Sequence, residues 1–451
     1  MVKIGLEIHG YLDTREKLFC DCESVHGAKQ VSPNVNICPV CTGQPGSKPM
    51  LPNSSAVDRV IQIALILGCK VSEKLVWQRK HYNWPDMPKG FQSTISGPHA
   101  VANGEKGKFM GIGITECHLE EDPASWNPKT GEIDYNRSGS PLIEIVTEPD
   151  FKDSEEVVLW LRQLITTLGY VKAIDKSAGI KADVNVSVDK GQRIEVKNVN
   201  SLRNIKAVID FEILRQNKDL PKIQETRRFD EIKGVTQLMR TKEKASDYRF
   251  ISEPDLPVMV IDKKRIERIK KGLPETPYEK LSKLIKKHKI EKYHAEILTK
   301  KLEVVEFFEK VVEKSNVKLA VRWVTEELMR ALNYARKELD EVNVDPYHFV
   351  ELLDLVESGA MTELKAKDIL NEFLPVSFSP KKKLKEHSKI SSDVEIGKFI
   401  KDVIENNVKA VKDFKLGKKE SLNFLIGQVM RLSDKRADFK KVRELLVQEL
   451  G

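Results

Sequence analysis

The chain has 451 residues, of which 40% are hydrophobic and 32% charged, with a formal net charge of +8 and a pI near 8.9. No run of 18 or more apolar residues occurs and no apolar leader precedes the first charged segment, which argues against a transmembrane helix or a secretory signal and leads us to expect a cytoplasmic protein. Six cysteines are too sparse for a disulfide scaffold, and the mild basic excess permits a polyanionic partner such as RNA.

In chain order, Val2, Ile4, Leu6 and Ile8 alternate with Lys3, Gly5, Glu7 and His9. This is the period of a strand with one face on a core. The other face sets Glu7 beside His9, which taken alone reads as a solvated strand face. Cys20-Asp21-Cys22 and Cys38-Pro39-Val40-Cys41 follow, with fifteen residues between the pairs. Two such turns can close a tetrahedral four-sulfur site, for which zinc is the usual occupant, and four protein ligands make that zinc structural. His26 lies inside the loop, where it could compete as a ligand but reads better as a surface residue. Cys69 and Cys117 read as small core residues.

A helix is predicted from Asn53 to Gly68, capped by Asn53 or Ser54. The segment Trp77–Gly90 interleaves cations with aromatics, and its prolines exclude a regular element over the second half. Such a segment could hold phosphates and stack an adenine or another base, or it could be an ordinary surface loop. Residues 111–122 read as a strand ending in Glu120-Glu121-Asp122, and 141–146 as an apolar strand interrupted by Glu144. A lone carboxylate in a buried strand is costly unless paired or bound to a metal. Glu7, Glu120, Glu121, Asp134 and Glu144 together form an oxygen-rich set suited to Mg²⁺.

Asp153 to Gly169 is predicted helical, with Asp153 and Glu156 at capping-box spacing. Residues 183–188 and 193–197 read as a hairpin whose polar face carries Asp183, Asn185 and Ser187 opposite Arg193, Glu195 and Lys197. Asp and Asn are poor strand formers, so their place there asks for a reason. From about residue 264 helical spacing takes over, with Phe373 to Lys389 a linker candidate and a last helical unit beyond it. Residues 406–451 hold eleven Lys and Arg against six Asp and Glu, a bias compatible with RNA backbone or with a solvated face. The fold class expected is α+β: a mixed or antiparallel sheet cradle with a zinc-bound loop over 1–285, a helical domain over 286–388 and a small helical tail domain over 389–451. No Walker loop, dinucleotide fingerprint or nucleophile elbow is present.

Read together, several motifs resemble the B subunits of the tRNA-dependent amidotransferases. They include Gly5-Leu6-Glu7-Ile8-His9, the four-cysteine set, Arg79-Lys80-His81-Tyr82, Pro85-Asp86-Met87-Pro88-Lys89, His118-Leu119-Glu120-Glu121-Asp122, Asp134-Tyr135-Asn136-Arg137 and Pro141–Val146. Val196–Ser201, Gln224–Arg227, Asp247-Tyr248-Arg249-Phe250, Glu253–Pro257 and Gly427–Met430 extend the resemblance over essentially the whole chain. It implies an enzyme that phosphorylates the aminoacyl carboxylate of misacylated Glu-tRNA(Gln) or Asp-tRNA(Asn) with ATP and then amidates it. The ammonia would come from an amidase partner, the A subunit, with a small C subunit completing the complex. It further implies that Glu7, His9, Glu121 and Glu144 line a Mg²⁺ and phosphoryl site with Glu120 close by. Lys80 and Arg137 would contact phosphate, and Asp183, Asn185, Lys197 and Asn198 would line a channel or support the site. Imidazole is an unusual ligand for Mg²⁺, so His9 could instead hold a softer ion, bind phosphate or act from behind the ligands. The alternative is a non-catalytic, zinc-stapled tRNA-binding or assembly protein, which would leave the acidic set unexplained.

Overall fold

The computed structural model describes residues 2–26, 31–82, 84–241 and 249–451. Asn83, and Asp247 and Tyr248 of the Asp247–Phe250 motif, lie outside the described residues. The chain forms two compact units, divided between Glu275 and Thr276.

The first unit is built on a mixed twelve-stranded sheet. Its strands and two small side pairs are β1 (Val2–Tyr11), β2 (Lys70–Val71), β3 (Lys74–Leu75), β4 (Gln78–His81), β5 (Phe91–Thr94), β6 (Gly104–Phe109), β7 (Ile112–Glu121) and β8 (Ser125–Trp126). They continue with β9 (Ile133–Asp134), β10 (Pro141–Thr147), β11 (Ile180–Val188), β12 (Ile194–Asn200), β13 (Glu225–Asp230), β14 (Val235–Thr241), β15 (Arg249–Ser252) and β16 (Met259–Val260). The main path runs β14-β13-β12-β11-β1-β10-β7-β5-β4-β15, so the first strand of the chain sits in the middle. Among the described residues, only the β12–β13 pair on this path is parallel.

Alternation divides the sheet into two faces. Ile4, Leu6 and Ile8 of β1, Leu119 of β7, Ile143 and Ile145 of β10, Val184 and Val186 of β11 and Ile194 and Val196 of β12 are all buried. Helices α1 (Ser54–Ile66), α2 (Ser154–Tyr170) and α3 (Leu202–Lys218) accompany this sheet, α1 against β6 and β7 and α3 against β11 and β12, while α4 (Lys263–Gly272) packs on α1. Truncating one such residue, Leu6→Ala for instance, costs roughly 2–5 kcal/mol.

The predicted caps are in place. The Asn53 side chain accepts from Ser55 and Ala56 N–H, and Asp153 accepts from Glu156 N–H. Glu156 turns its own carboxylate to Lys152 N–H, one residue short of a reciprocal box. Cys69 and Cys117 are buried as expected. On α3 the fully buried Glu212 accepts from Arg215, Gln216 and Thr236 and pairs with Arg227, which ties the helix to β13 and β14.

The second unit is helical. Its central stripe of Val321, Trp323, Val324, Leu328 and Leu332 is buried, and the helical path widens into a π turn over Trp323–Leu328. The stretch 373–389 is more ordered than a linker. Phe373 is buried edge-on against Phe378, and the chain forms a 3₁₀ turn at Pro380–Lys383 and a short helix at Leu384–His387. Four further helices between Asp393 and Leu450 enclose a core of their own, including Ile396, Ile400, Leu425, Val429, Val442 and Leu446.

Candidate functional site

The polar face of the sheet is a trough. A cavity of about 750 Å³ opens on it, lined from β1 by Glu7, His9 and Tyr11, with contributions from β4, β5, β7, β10, β11, β12 and β13. Pairing register explains the convergence. His9 stands opposite Glu144, Glu144 opposite His118, and Glu7 opposite Asp183. Residues in register on neighbouring strands share a face, so the functional groups of four strands meet in one row.

At the centre, His9 Nε2 lies 3.5 Å from Glu120 Oε1 and 3.3 Å from Glu144 Oε2. His118 Nε2 lies 3.3 Å from the same Glu144 oxygen, and His118 Nδ1 is 3.2 Å from Glu116. Burial opposes charge on both imidazoles, but the carboxylates around them outweigh it. His118 is pushed up to about 10, and His9 well above its ordinary range. Burial would likewise raise Glu144, yet His118 and His9 hold its carboxyl well below the usual range. Glu7 is pushed up by its own burial and by the nearby Glu144. The imidazoles of His9 and His118 are the groups that face these buried carboxylates. A divalent cation would supply positive charge at the same place. Ligand atoms of His9, Glu120 and Glu144 all lie within 4.8 Å of one another, a donor set that fits such an ion.

A second group, Glu7, Asp183 and Glu195, also brings its oxygens within 4.8 Å. Lys197 occupies this group, with Nζ 2.5 Å from Asp183 and 2.8 Å from Glu195. Burial works to discharge Lys197, but Asp183 and Glu195 keep it charged. Asn185 donates to Glu7 Oε1 at 3.2 Å. Asn198 adopts φ 54° where the β11–β12 register shifts, and its N–H donates to Asp183 Oδ1 at 2.7 Å. These contacts supply the reason for Asp and Asn in mid-strand.

Lys80 lines the cavity from β4. Arg137 Nε pairs with Asp122 at 3.0 Å, and its guanidinium also donates to the carbonyls of Pro123 and Ala124. Tyr11 donates its hydroxyl to the same Asp122.

Glu121 and Asp134 are exceptions among the expected site residues. The structure does not bring them to Glu7, His9 and Glu144. Strand alternation sends Glu116, His118 and Glu120 to the trough and Glu121 to the other face, where it accepts from Lys89 Nζ and Ser93 N–H. Its neighbour Glu120 stands in the place assigned to it. Asp134 is also elsewhere: its carboxylate accepts from Asn34 and Asn136 N–H. His118, Tyr11, Asp122 and Glu195 are site residues that sequence reasoning did not assign, and strict alternation from Glu120 would have found His118.

The four cysteines converge. Their Sγ atoms lie within 4.8 Å of one another, and Cys38 and Cys41 are 3.9 Å apart. A tetrahedron with 2.3 Å zinc–sulfur bonds has edges of ~3.8 Å, so the set fits zinc. Burial and the neighbouring Cys38 push the Cys22 thiol up to about 11, the crowding that a bound cation relieves. Asn136 anchors the loop: its side-chain oxygen accepts from Val35 and Asn36 N–H, and Ser138 donates to the Cys41 carbonyl. The cysteine loop and the turn carrying Arg137 therefore hold each other. His26 is neither a ligand of this group nor a surface residue. Its side chain is 6% exposed, lies 3.0 Å from Asp175 and stacks on Tyr11.

This architecture defines a class: a sheet protein with a trough that gathers carboxylates, imidazoles and cations. Residues 2–267 match the family described as the GatB/GatE catalytic domain, and residues 306–450 match the GatB domain. The chain is 43% identical to the B subunit of the aspartyl/glutamyl-tRNA(Asn/Gln) amidotransferase of Methanocaldococcus jannaschii, over 100% of this chain and 98% of that protein. It is 41% identical to the proteins of the same name from Methanococcus maripaludis strain C6 and Methanopyrus kandleri, again over 100% of this chain and 98% of each relative. The chain belongs to the family of tRNA-dependent amidotransferase B subunits.

Proposed function

We propose that the chain is the component of an amide-forming ligase that activates the side-chain carboxylate of Glu-tRNA(Gln) or Asp-tRNA(Asn) with ATP and replaces one of its oxygens by ammonia. The observation that carries this reading is the meeting of Glu7, His9, Glu120 and Glu144 with Lys80 and Arg137 in one trough. A carboxylate is a poor electrophile because ammonia cannot expel oxide. One carboxylate oxygen attacks the γ-phosphorus, the bond to the β-phosphate oxygen breaks and ADP leaves. Ammonia then attacks the acyl carbon, inorganic phosphate leaves, and one proton departs from nitrogen.

Phosphoryl transfer asks the protein for positioning and charge neutralisation. Lys80 and Arg137 supply cations to the phosphate oxygens. His9, Glu120 and Glu144 would hold Mg²⁺ or a softer divalent ion, which when bound neutralises charge on the transferred group. Glu121 steadies the sheet rather than the trough, accepting from Lys89 and Ser93 on the opposite face. Glu7, the carboxylate of raised proton affinity, accepts the proton from the incoming nitrogen. Asp183, Asn185, Lys197 and Asn198 form the polar route by which ammonia arrives. The cysteine loop holds zinc and fixes the Arg137 turn.

The rest of the proposal concerns the setting. An amidase partner, the A subunit, supplies ammonia and a small C subunit completes the enzyme. The chain acts in three parts, 1–285, 286–388 and 389–451, the last with its own core and a basic bias suited to tRNA. It works in the cytoplasm, where charged tRNA is available; no helix among the described residues is long and apolar enough to cross a membrane. A non-catalytic RNA-binding role would leave the row of buried carboxylates and imidazoles without purpose. The test is ADP release by the chain with its amidase partner. Release that requires charged tRNA and is lost in Glu120→Gln supports the reading, and tight tRNA binding without ADP release overturns it.

A further inference from the structure

At the β4 end of the trough the cavity changes character. Tyr82 and Trp84 line it there, beside Asp86 and Pro123. Trp84 is 54% exposed, although burying an indole is among the most favourable uses a fold has for one. Its placement is fixed by its surroundings. The Trp84 ring meets Trp126 of β8 edge to face, with centroids 5.5 Å apart and planes at 88°. The turn behind it is pinned by Met87 N–H to the Trp84 carbonyl and by Ala124 N–H to the Asp86 carbonyl. A perpendicular partner touches one side of the indole only, and about half of Trp84 stays exposed. A braced, half-exposed tryptophan beside a cavity lined by Lys80 and Arg137 has the form of a platform for a flat π-system.

We propose that Trp84 is the stacking platform for a purine ring bound in this trough, a role that rests on the ATP-dependent reading above. The cavity supports it, because Trp84, Lys80, His9, Glu120 and Glu144 all line the same one. A nucleoside triphosphate with its base on Trp84 would extend past Lys80 toward His9, Glu120 and Glu144. Lys80, between the two, is placed for the intervening phosphates. The same ring chemistry is offered by the 3′-terminal adenosine of a charged tRNA, whose aminoacyl group must also reach the central cluster.

The test titrates the full-length chain with Mg²⁺-ATP, with inorganic triphosphate, and with tRNA that carries or lacks its terminal adenosine. Tryptophan fluorescence and equilibrium binding are the readouts. Trp84→Leu should weaken one adenine-bearing ligand by roughly ten- to a hundredfold, the range for one stacked base. Binding of inorganic triphosphate should be unchanged, and Trp84→Phe should restore most of the loss. Weakening confined to ATP identifies the nucleotide as the occupant; weakening confined to adenosine-terminated tRNA identifies the tRNA end. If Trp84→Leu binds every ligand as the unaltered chain does, the inference is overturned while the ATP reading stands. If the unaltered chain binds neither ATP nor triphosphate, the ATP reading fails and takes this inference with it.

Discussion

Removing Arg79 tests how the edge of the trough is held. Arg79 sits on β4 beside Lys80. Its Nε donates to Glu253 Oε2 at 2.9 Å, and its Nη2 reaches Glu253 Oε1 and Asp255 Oδ2, each at 2.7 Å. The Glu253 side chain is only 2% exposed, and the guanidinium stacks on Phe91 at 4.2 Å. Arg79→Met keeps an apolar stem near Phe91 but removes the guanidinium and leaves a buried carboxylate uncompensated, a change that costs about 3–5 kcal/mol. At about 2–4 °C per kcal/mol for a unit of this size, the calorimetric transition should fall by roughly 6–20 °C. Adding Glu253→Leu removes the orphaned charge, so the double variant should be more stable than Arg79→Met alone. A transition unmoved by Arg79→Met, or a double variant less stable than the single, would refute the claim that this clamp secures the β4 edge.

Other predictions concern the two metal-ligand clusters and Glu121. Cys38→Ser should lower bound zinc from about one per chain and lower the melting temperature; full zinc content with unchanged melting would remove the staple. Glu121→Gln should keep amide formation while lowering stability, because it weakens a buried pair with Lys89 without touching the trough, whereas Glu120→Gln should fold and lose activity. Equal loss of activity in both, with folding intact, would count against the assigned faces of β7. In metal-free protein, NMR titration should find His118 protonated well above pH 6.5, releasing its proton near pH 10. Because its folded-state pKa is raised, its stabilising contribution is fully present below about pH 6.5 and is lost as pH rises through about 10. An ordinary His118 titration near pH 6.5 would contradict the arrangement.

The chain's order of polar and apolar residues made the strands legible. β1, β7 and the β11–β12 hairpin follow from period-two alternation, and α1 and α2 from caps and stripes. What alternation alone does not give is which strands are neighbours. That β1 lies between β10 and β11 is fixed by pairings across more than a hundred residues, so Glu7, His9, Glu144 and Asp183 were identifiable as unusual without being known to meet. Glu121 shows the limit from the other side. A motif read as a block, Glu120-Glu121-Asp122, does not say which member faces the site, although a strand permits only alternate ones. His26 was misplaced because nothing local signals a stacking partner such as Tyr11 or a distant acid such as Asp175. The cysteine set was readable because metal geometry constrains spacing itself.

The most direct test follows the oxygen. Charged tRNA carrying ¹⁸O in the side-chain carboxylate of its aminoacyl group would be amidated by the chain with its amidase partner and ATP, and the released phosphate examined by mass spectrometry. If the carboxylate is phosphorylated before amidation, each amide formed leaves one carboxylate oxygen on phosphate, and ¹⁸O-phosphate should appear in step with product. Amide formation with unlabelled phosphate would contradict the account.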